Sequence, residues 1–322
     1  MKPDVLLVHP GNSTFIERDL RFLREKYSVN TLEYDKRRAI APLLVNMTRC
    51  RVAFAWFALG YAYPMVQISL LRGIPVVVVA GGYDVEAIPE LNYGAMVNPV
   101  RRRRTSLTLA KASRVLAVSK FTNSRVMHWS PAARADVVYH GFPRSEFDPT
   151  MTREHSVLTV ANIRRGTWKL KGLETYVEVA RRIPEASFQI VGKVEEDPGT
   201  FAGPIPPNVH LQGWLPHGQL YKLYARSKVY AQLSFIESFG CALAEAMSCG
   251  CHPVVTDRGA LPEVVGNVCS PVPYGDVGQA EQAIREGLAS GGSRQAQRRI
   301  TEAFPIHERR RRLHAVVDEL LV

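Results

Sequence analysis

A chain of 322 residues with 46% hydrophobic residues is long enough for two globular domains of about 150 residues each. No apolar run approaches the roughly 20 residues of a membrane-spanning helix, and the start, MKPDVLLVHPG, is typical of a strand rather than of a signal peptide. Five cysteines, an odd number without a paired framework, favour the reducing cytosol, and the net charge of +11 indicates acidic partners.

Strands and helices alternate along the first half of the chain. Apolar runs predict strands over residues 5–9, 29–34, 52–56, 74–80, 114–118 and 136–139. Between them, helices are predicted over residues 15–27, 64–72, 101–112 and 120–129. Strands that alternate with helices are typical of βαβ units and a parallel sheet, so this half is predicted to be an α/β domain.

The second half repeats the alternation from residue 156 onward. Residues 140–155 are rich in proline, glycine and charge, as domain linkers are. We therefore expect an N-terminal domain over residues 1–148 and a C-terminal domain over residues 149–322, with the final helix able to pack back on the N-terminal domain. In such folds ligands bind where the strands end.

The positive charge is concentrated in the first half. Residues 1–148 contain 21 Lys/Arg and 12 Asp/Glu, whereas residues 149–322 contain 20 and 18. The excess includes the run Arg101–Arg104, and such a field attracts an anionic membrane surface. Arginine side chains that are merely solvated are the alternative. The run lacks interleaved aromatic residues and a recognisable binding module, so we do not expect nucleic acid as a partner.

Two glutamates separated by seven residues flank the start of a predicted helix. Glu237 lies in the loop between an apolar strand and a helix of small residues over residues 241–248, and Glu245 follows two helical turns later on nearly the same face. The N terminus of a helix offers unpaired N–H groups to an anion. Two carboxylates beside an anion site suit a nucleotide sugar, which has hydroxyl groups on both sides of its diphosphate. A solvated helix face is the alternative.

The segment ESFGCALAEAMSCGCHPVVTDRGALPEVVG resembles the donor-site signature of retaining glycosyltransferases of the GT-B fold, in family four (glycosyl transferases group 1). Residues 157–192 and 209–234 resemble other parts of the donor domain in the expected order. The resemblance is strong over residues 157–270 and loose over residues 1–150. It implies an α/β chain with two Rossmann-like, doubly wound parallel-sheet domains that face a central cleft.

The resemblance assigns roles to the loop before the helix and to the helix itself. Glu237 is expected to hold sugar hydroxyls. Ser238, Phe239 and Gly240 are expected at the donor, the last two through their backbone N–H groups. Glu245 is expected to hold the ribose hydroxyls.

Basic residues after the first strand of the donor domain are expected at the diphosphate. Lys171 matches the family lysine that stabilises the leaving group. The family arginine position holds Asn162, so either Arg164 or Arg165 takes its place or that contact is absent. Trp214 follows a glycine in the turn that meets the nucleotide base in relatives; a place in the core is the alternative for this side chain.

In the first domain, Gly11 and Asn12 follow the first strand and are expected to contact the donor through the backbone. Residues 76–85, VVVVAGGYDV, resemble the family strand that ends in His-Gly-x-Asp. Gly81 stands at the histidine position, which leaves acceptor-side catalysis to Asp84, to Tyr83 or to an unaligned group such as His9. For Asp84 the alternative is a turn or helix cap.

These observations predict a retaining, metal-independent hexosyltransferase that uses a UDP- or GDP-sugar and a saccharide or lipid-linked acceptor. No Asp-x-Asp pair is present to hold a divalent ion, and no cofactor besides the donor substrate is expected. We expect the protein in the cytoplasm, in peripheral contact with the inner face of the membrane. A catalytically silent GT-B-like protein that binds a nucleotide sugar or glycan remains the alternative, because the family histidine is absent. An epimerase of the same architecture is less favoured.

Overall fold

The computed structural model describes residues 4–11, 13–34, 40–143 and 152–322. The chain divides into two compact units. The first unit comprises Met1–Gly141 and Ile306–Val322, and the second unit comprises Phe142–Pro305. The boundary predicted between residues 148 and 149 falls outside the described residues and stays a prediction.

The first unit contains a six-stranded parallel sheet with the order β2-β1-β3-β4-β5-β6. Its strands are β1 (Val5–His9), β2 (Val29–Glu33), β3 (Val52–Trp56), β4 (Val76–Ala80), β5 (Arg114–Ala117) and β6 (Ala135–Val137). The helices that connect them are α1 (Thr14–Arg24), α2 (Ile40–Met47), α3 (Ala62–Arg72), α4 (Pro99–Lys111) and α5 (Lys120–Trp129). Two short 3₁₀ turns, Pro89–Leu91 and Ala95–Val97, precede α4.

The central strands of this sheet are apolar along their whole length. Every residue of β1, β3 and β4 is buried, as expected for parallel strands that helices cover on both faces. The predicted strand over residues 52–56 and helix over residues 120–129 match β3 and α5. Helix α2 was not predicted, because its sequence, IAPLLVNM, is a nearly continuous apolar run with an internal proline and no helical periodicity.

The second unit contains a five-stranded parallel sheet with the order β11-β10-β7-β8-β9. Its strands are β7 (Glu154–Val160), β8 (Ser187–Val191), β9 (Val209–Gly213), β10 (Ser227–Gln232) and β11 (His252–Val255). Its helices are α6 (Arg165–Trp168), α7 (Leu173–Arg182), α8 (His217–Arg226), α9 (Cys241–Ser248), α10 (Leu261–Val265), α11 (Val277–Ala289) and α12 (Arg294–Ala303). The predicted helix over residues 241–248 matches α9.

The C-terminal helix α13 (Ile306–Leu321) packs against α1 in the first unit. Arg309 in α13 forms two hydrogen bonds of 2.6 Å with the carboxylate of Asp19 in α1, and both side chains are at most 2% exposed. The Arg309 guanidinium also donates to the Val138 and Tyr139 carbonyls, so its buried charge is well satisfied.

Two parallel-sheet α/β units confirm the predicted fold class. Among the described residues, no helix is long and apolar enough to cross a lipid bilayer.

Candidate active site

The side chain of Lys171 is placed by a close approach of two backbone segments. Gly172 has φ +64°, and a Cβ atom at this position would lie 1.7 Å from the Leu233 carbonyl oxygen, so only glycine fits. The Phe235 N–H donates to the Leu170 carbonyl at 2.8 Å from the same loop. The turn before α7 is therefore tied to the end of β10, as expected where adjacent parallel strands end together.

This turn brings Lys171 to Glu237, 66 residues away in the sequence. The Lys171 ammonium donates to Oε1 of Glu237 at 2.5 Å, and the two side chains are 28% and 14% exposed. Gln232 Nε2 and Ser234 Oγ each donate to the same oxygen at 3.0 Å. Three charge-assisted hydrogen bonds on one oxygen hold the carboxylate in one orientation.

Gln232 and Ser234 were missed by the sequence analysis. Both are buried, and the Gln232 amide also donates to Ser234 Oγ at 2.8 Å. Tyr230 OH in turn donates to Oε1 of Gln232 at 2.9 Å, so the network extends back along β10. Polar residues at alternating positions of an apolar run, one of them next to a loop glutamate, were the signal that could have revealed this network.

The loop after Glu237 leads directly into α9. Gly240 precedes the helix with φ +89°, and the first bond within the helix runs from the Ala244 N–H to the Gly240 carbonyl. Ser238, on the same loop, is half-buried. Phe239 is buried and stacks on Phe142, with ring centroids 5.8 Å apart, so the loop is anchored in the core of the second unit. This anchoring presents the N-terminal end of α9 beside Glu237.

Glu245 lies in α9 and is 5% exposed. Its Oε1 lies 3.2 Å from Nε2 of His217, the first residue of α8. The His217 ring is 44% exposed and lies against Tyr221, with centroids 4.7 Å apart. His217 was not predicted as a site residue, because nothing in the local sequence pattern indicates which helix packs against α9.

The two candidate arginines lie away from Glu237. Arg164 forms an ion pair of 3.6 Å with Glu195, and its side chain is 51% exposed. The Arg165 guanidinium lies over the Phe201 ring at 5.5 Å, and its backbone N–H donates to Glu196. Both arginines therefore interact with the segment after β8, and the described contacts leave Lys171 as the cation beside Glu237.

Trp214 follows β9 and its side chain is 65% exposed. A core position, the alternative for this residue, is therefore excluded. An exposed indole on a loop at the carboxyl end of a parallel strand is available to stack on a planar ligand.

Of the predicted phosphate loop in the first unit, Gly11 is described and Asn12 lies outside the described residues. Gly11 has φ +142°, and its carbonyl lies 3.1 Å from Nδ1 of His9 at the end of β1. The backbone conformation is one that glycine adopts readily.

Asp84 is completely buried in the first unit. Its carboxylate accepts hydrogen bonds from the backbone N–H groups of Ala58, Gly81 and Gly82 at 2.7, 3.1 and 2.8 Å. Burial raises the pKa of Asp84 to about 6, although the N–H donors oppose the shift. The contacts are those of a turn-holding residue, so the geometry does not favour the predicted catalytic role.

Within the described ranges, no group of three or more His, Cys, Asp or Glu side chains could hold a metal ion.

Known proteins are similar to this chain in sequence and in fold. Residues 152–303 match the family model described as glycosyl transferases group 1. This segment, which contains Lys171, Glu237 and Glu245, belongs to that family. The phosphatidylinositol N-acetylglucosaminyltransferase gpi3 subunit of Schizosaccharomyces pombe is 27% identical over 141 residues, which are 41% of this chain and 31% of that protein. The chain thus spans about a third or less of the length of such relatives.

Several solved structures match the chain over nearly its whole length. Sucrose-phosphate synthase from Thermosynechococcus elongatus superposes with a TM-score of 0.79 at 15% identity, over 98% of both chains. Anabaena HepE, solved with UDP and glucose, superposes with a TM-score of 0.77 at 16% identity, over 98% of this chain and 99% of that one. At these identities the likeness shows the fold, and it confirms the GT-B architecture expected from the sequence.

Proposed function

We propose that the protein is a retaining glycosyltransferase that moves a hexose from a nucleoside diphosphate sugar to an acceptor hydroxyl. The observation that carries the proposal is the Lys171–Glu237 pair beside the N terminus of α9, within the segment that belongs to glycosyl transferases group 1. The pair combines a cation and a helix end, which suit a diphosphate, with a carboxylate, which suits sugar hydroxyls.

Glu237 is the proposed sugar-binding group. All three of its side-chain hydrogen bonds go to Oε1, and no donor in the described part of the chain reaches Oε2. The second oxygen is therefore open to a hydroxyl of the donor sugar, while the first holds the orientation of the carboxylate. A preoriented acceptor loses little conformational entropy when a ligand binds.

Lys171 is the proposed group for the leaving diphosphate. In the transfer step the bond from the anomeric carbon to the diphosphate oxygen breaks, and a bond to the acceptor oxygen forms on the same face of the sugar. The acceptor hydroxyl proton passes to an oxygen of the leaving phosphate. The ammonium and the N–H groups at the start of α9 stabilise the negative charge that develops on the diphosphate, without a metal ion.

Glu245 and Trp214 are the proposed nucleoside contacts. Glu245 accepts from the ribose hydroxyls, and the exposed indole of Trp214 lies against the base. UDP in the Anabaena structure supports a uridine donor, and a GDP-sugar is the second candidate. The likeness to a phosphatidylinositol glycosyltransferase supports a lipid-linked acceptor, used by a cytoplasmic protein in peripheral contact with the membrane; a soluble glycan is the other candidate.

The activity is tested by incubating the protein with a panel of UDP- and GDP-sugars and with saccharide or lipid acceptors, while free nucleoside diphosphate is measured. We expect release with at least one donor, undiminished by a chelator. The anomeric configuration of the product, read by NMR, is expected to be that of the donor. An inverted configuration would refute the retaining mechanism, and strict dependence on added Mn²⁺ or Mg²⁺ would refute the role given to Lys171.

Two lysine variants distinguish the proposed role of Lys171 at the diphosphate from a general effect of removing one positive charge. Lys171→Met is expected to lower kcat about 100-fold or more, the scale of one lost electrostatic group, while raising KM less. Lys169→Met removes the same charge from an exposed position two residues away and is expected to leave kcat nearly unchanged. Tight binding of a nucleotide sugar without any turnover would instead support the silent binding protein.

A further inference from the structure

One face of the first unit is basic, poor in acidic groups and lined with exposed apolar side chains. Residues 40–135 contain twelve Lys/Arg and three Asp/Glu. Of the three acids, Asp84 and Glu86 are 0% and 2% exposed, which leaves Glu90 as the exposed one. Three of the twelve cations are paired, Arg51 with Asp4, Arg114 with Glu319 and Arg125 with Glu86. The others leave this part of the surface with a net positive charge.

Three helices form this face. Helix α3 contacts both α2 and α4. The strand order shows that the connection through α1 moves along the sheet in one direction and that the connections through α2, α3, α4 and α5 move in the other. Because such crossovers are right-handed, α2, α3 and α4 lie on the face of the sheet opposite to α1. None of these three helices contains an aspartate or glutamate. We call their outer surface the α2–α4 face.

The arginines of α4 are available to a partner. Arg101–Arg104 are all exposed, and none of the four forms an ion pair with a carboxylate in the described part of the chain. The Arg102 and Arg104 guanidiniums instead lie over the rings of Trp129 and Tyr63 at 5.8 and 5.9 Å. Four cations that no internal anion neutralises form a concentrated positive field.

Apolar side chains protrude from the same three helices. Six of the twelve large hydrophobic side chains that are exposed in the described residues lie on them: Leu44, Val45, Leu70, Leu71, Val100 and Leu107. Leu71 is 84% exposed and Val100 is 61% exposed. A shallow groove of about 400 Å³ along α4 is lined by Val100, Leu107 and Tyr63 together with Arg103 and Arg104. Exposed apolar groups grouped in this way indicate an interaction surface.

We infer that the α2–α4 face docks on an anionic phospholipid bilayer. The cations would meet lipid phosphates, and the leucines and valines would enter the boundary between headgroups and acyl chains, as in proteins that lie on a membrane. The phosphate backbone of a nucleic acid would satisfy the arginines but would gain nothing from protruding leucines. The inference does not depend on the proposed enzymatic activity, because it rests on the surface of the first unit alone.

Vesicle co-sedimentation of the full chain tests this inference. The probes are phosphatidylcholine vesicles with and without phosphatidylglycerol. We expect binding to the anionic vesicles only, and a large loss of binding when the salt concentration rises from about 0.1 M to about 1 M, because the Debye length falls from about 10 Å to about 3 Å. Equal binding to both vesicles, or no binding at low salt, would overturn the inference.

Matched arginine variants locate the surface. Arg101→Gln with Arg103→Gln removes two charges that make no ring contact and is expected to weaken vesicle binding roughly fivefold per charge. Arg21→Gln with Arg24→Gln removes two exposed charges from α1, on the opposite face, and is expected to have much less effect. An equal loss in both double variants would show that net charge, rather than the α2–α4 face, drives binding.

A single apolar variant distinguishes a bilayer from a soluble polyanion. Leu71→Ser is expected to weaken binding to anionic vesicles about fivefold, because a leucine side chain that enters the acyl region is returned to water. Val194→Ser, at an exposed position of the second unit, is the control and is expected to change nothing. If Leu71→Ser binds vesicles as well as the wild type does, and the wild type also binds duplex DNA tightly, the inference of a bilayer is refuted and a nucleic acid is the partner.

Discussion

Replacing Gly172 by alanine tests the tie between the Lys171 turn and β10. An alanine at φ +64° adopts the left-handed conformation at a cost of about 1–2 kcal/mol. Its Cβ would also lie 1.7 Å from the Leu233 carbonyl oxygen and 2.5 Å from the carbonyl carbon, both backbone atoms. Relief of this contact requires the turn and the strand end to separate. We therefore expect the free energy of unfolding to fall by more than about 4 kcal/mol, a size that is typical only of severely disruptive substitutions.

Gly203→Ala is the matched control for this prediction. Gly203 lies in the same unit with φ +77°, but an added Cβ would meet nothing within 4 Å. In this variant only the strain of an alanine in the left-handed conformation lowers the free energy of unfolding. The lower conformational entropy of the unfolded chain partly offsets this strain, so the expected net loss is about 1 kcal/mol. The difference between the two variants isolates the close approach of Gly172 to Leu233.

Thermal unfolding followed by circular dichroism measures the difference. For a unit of this size, 1 kcal/mol corresponds to a Tm change of about 2–4 °C. Gly172→Ala is thus expected to lower the Tm by about 10 °C or more, and Gly203→Ala by about 3 °C. Equal shifts in the two variants would refute the backbone contact as the reason for glycine at position 172. The ion pair of Lys171 with Glu237 would then need another explanation.

Three further predictions concern buried or semi-buried charges. Burial raises the pKa of Glu86 to about 7 despite Arg125, so its contribution to stability is complete below its unfolded pKa of 4.5 and is lost as pH rises through 7. Glu86→Gln is compared with the wild type by urea unfolding at about pH 5 and about pH 8. Its free energy of unfolding is expected to gain roughly 2.5 kcal/mol on that of the wild type between these two pH values; parallel pH profiles would contradict this. Arg309→Leu leaves the buried Asp19 carboxylate unpaired and is expected to cost about 3–5 kcal/mol, whereas Asp19→Asn with Arg309→Leu recovers part of the loss. His217→Ala is expected to weaken UDP binding in calorimetry about tenfold by removing the His217 contact with the Glu245 carboxylate, and His217→Gln is expected to restore part of the affinity; unchanged affinity in both variants would remove His217 from the site.

Local sequence patterns were sufficient for the architecture and for the acidic part of the candidate site. The valine run of β4 and the small-residue helix α9 are encoded within about ten residues each, because burial and helix formation depend on periodicity and on nearby glycines. Glu237 was recognisable as a candidate site residue because it lies between a strand and a helix, where ligands bind in parallel α/β units. The same patterns could not reveal α2, whose apolar run has no helical period.

The partners of these groups were decided by the tertiary structure. Lys171 meets Glu237 because Gly172 lets the turn before α7 approach the end of β10. Arg164 and Arg165, a few residues earlier in the chain, contact the segment after β8 instead. The sequence makes Asp84 one candidate for acceptor-side catalysis, yet the fold surrounds its carboxylate with backbone N–H donors. Each of these outcomes depends on which distant segment occupies the neighbouring space. The periodicity that buries a strand is visible in a single sequence. Which side chains meet at the end of that strand depends on the order of strands in the sheet and on the path of the connecting loops.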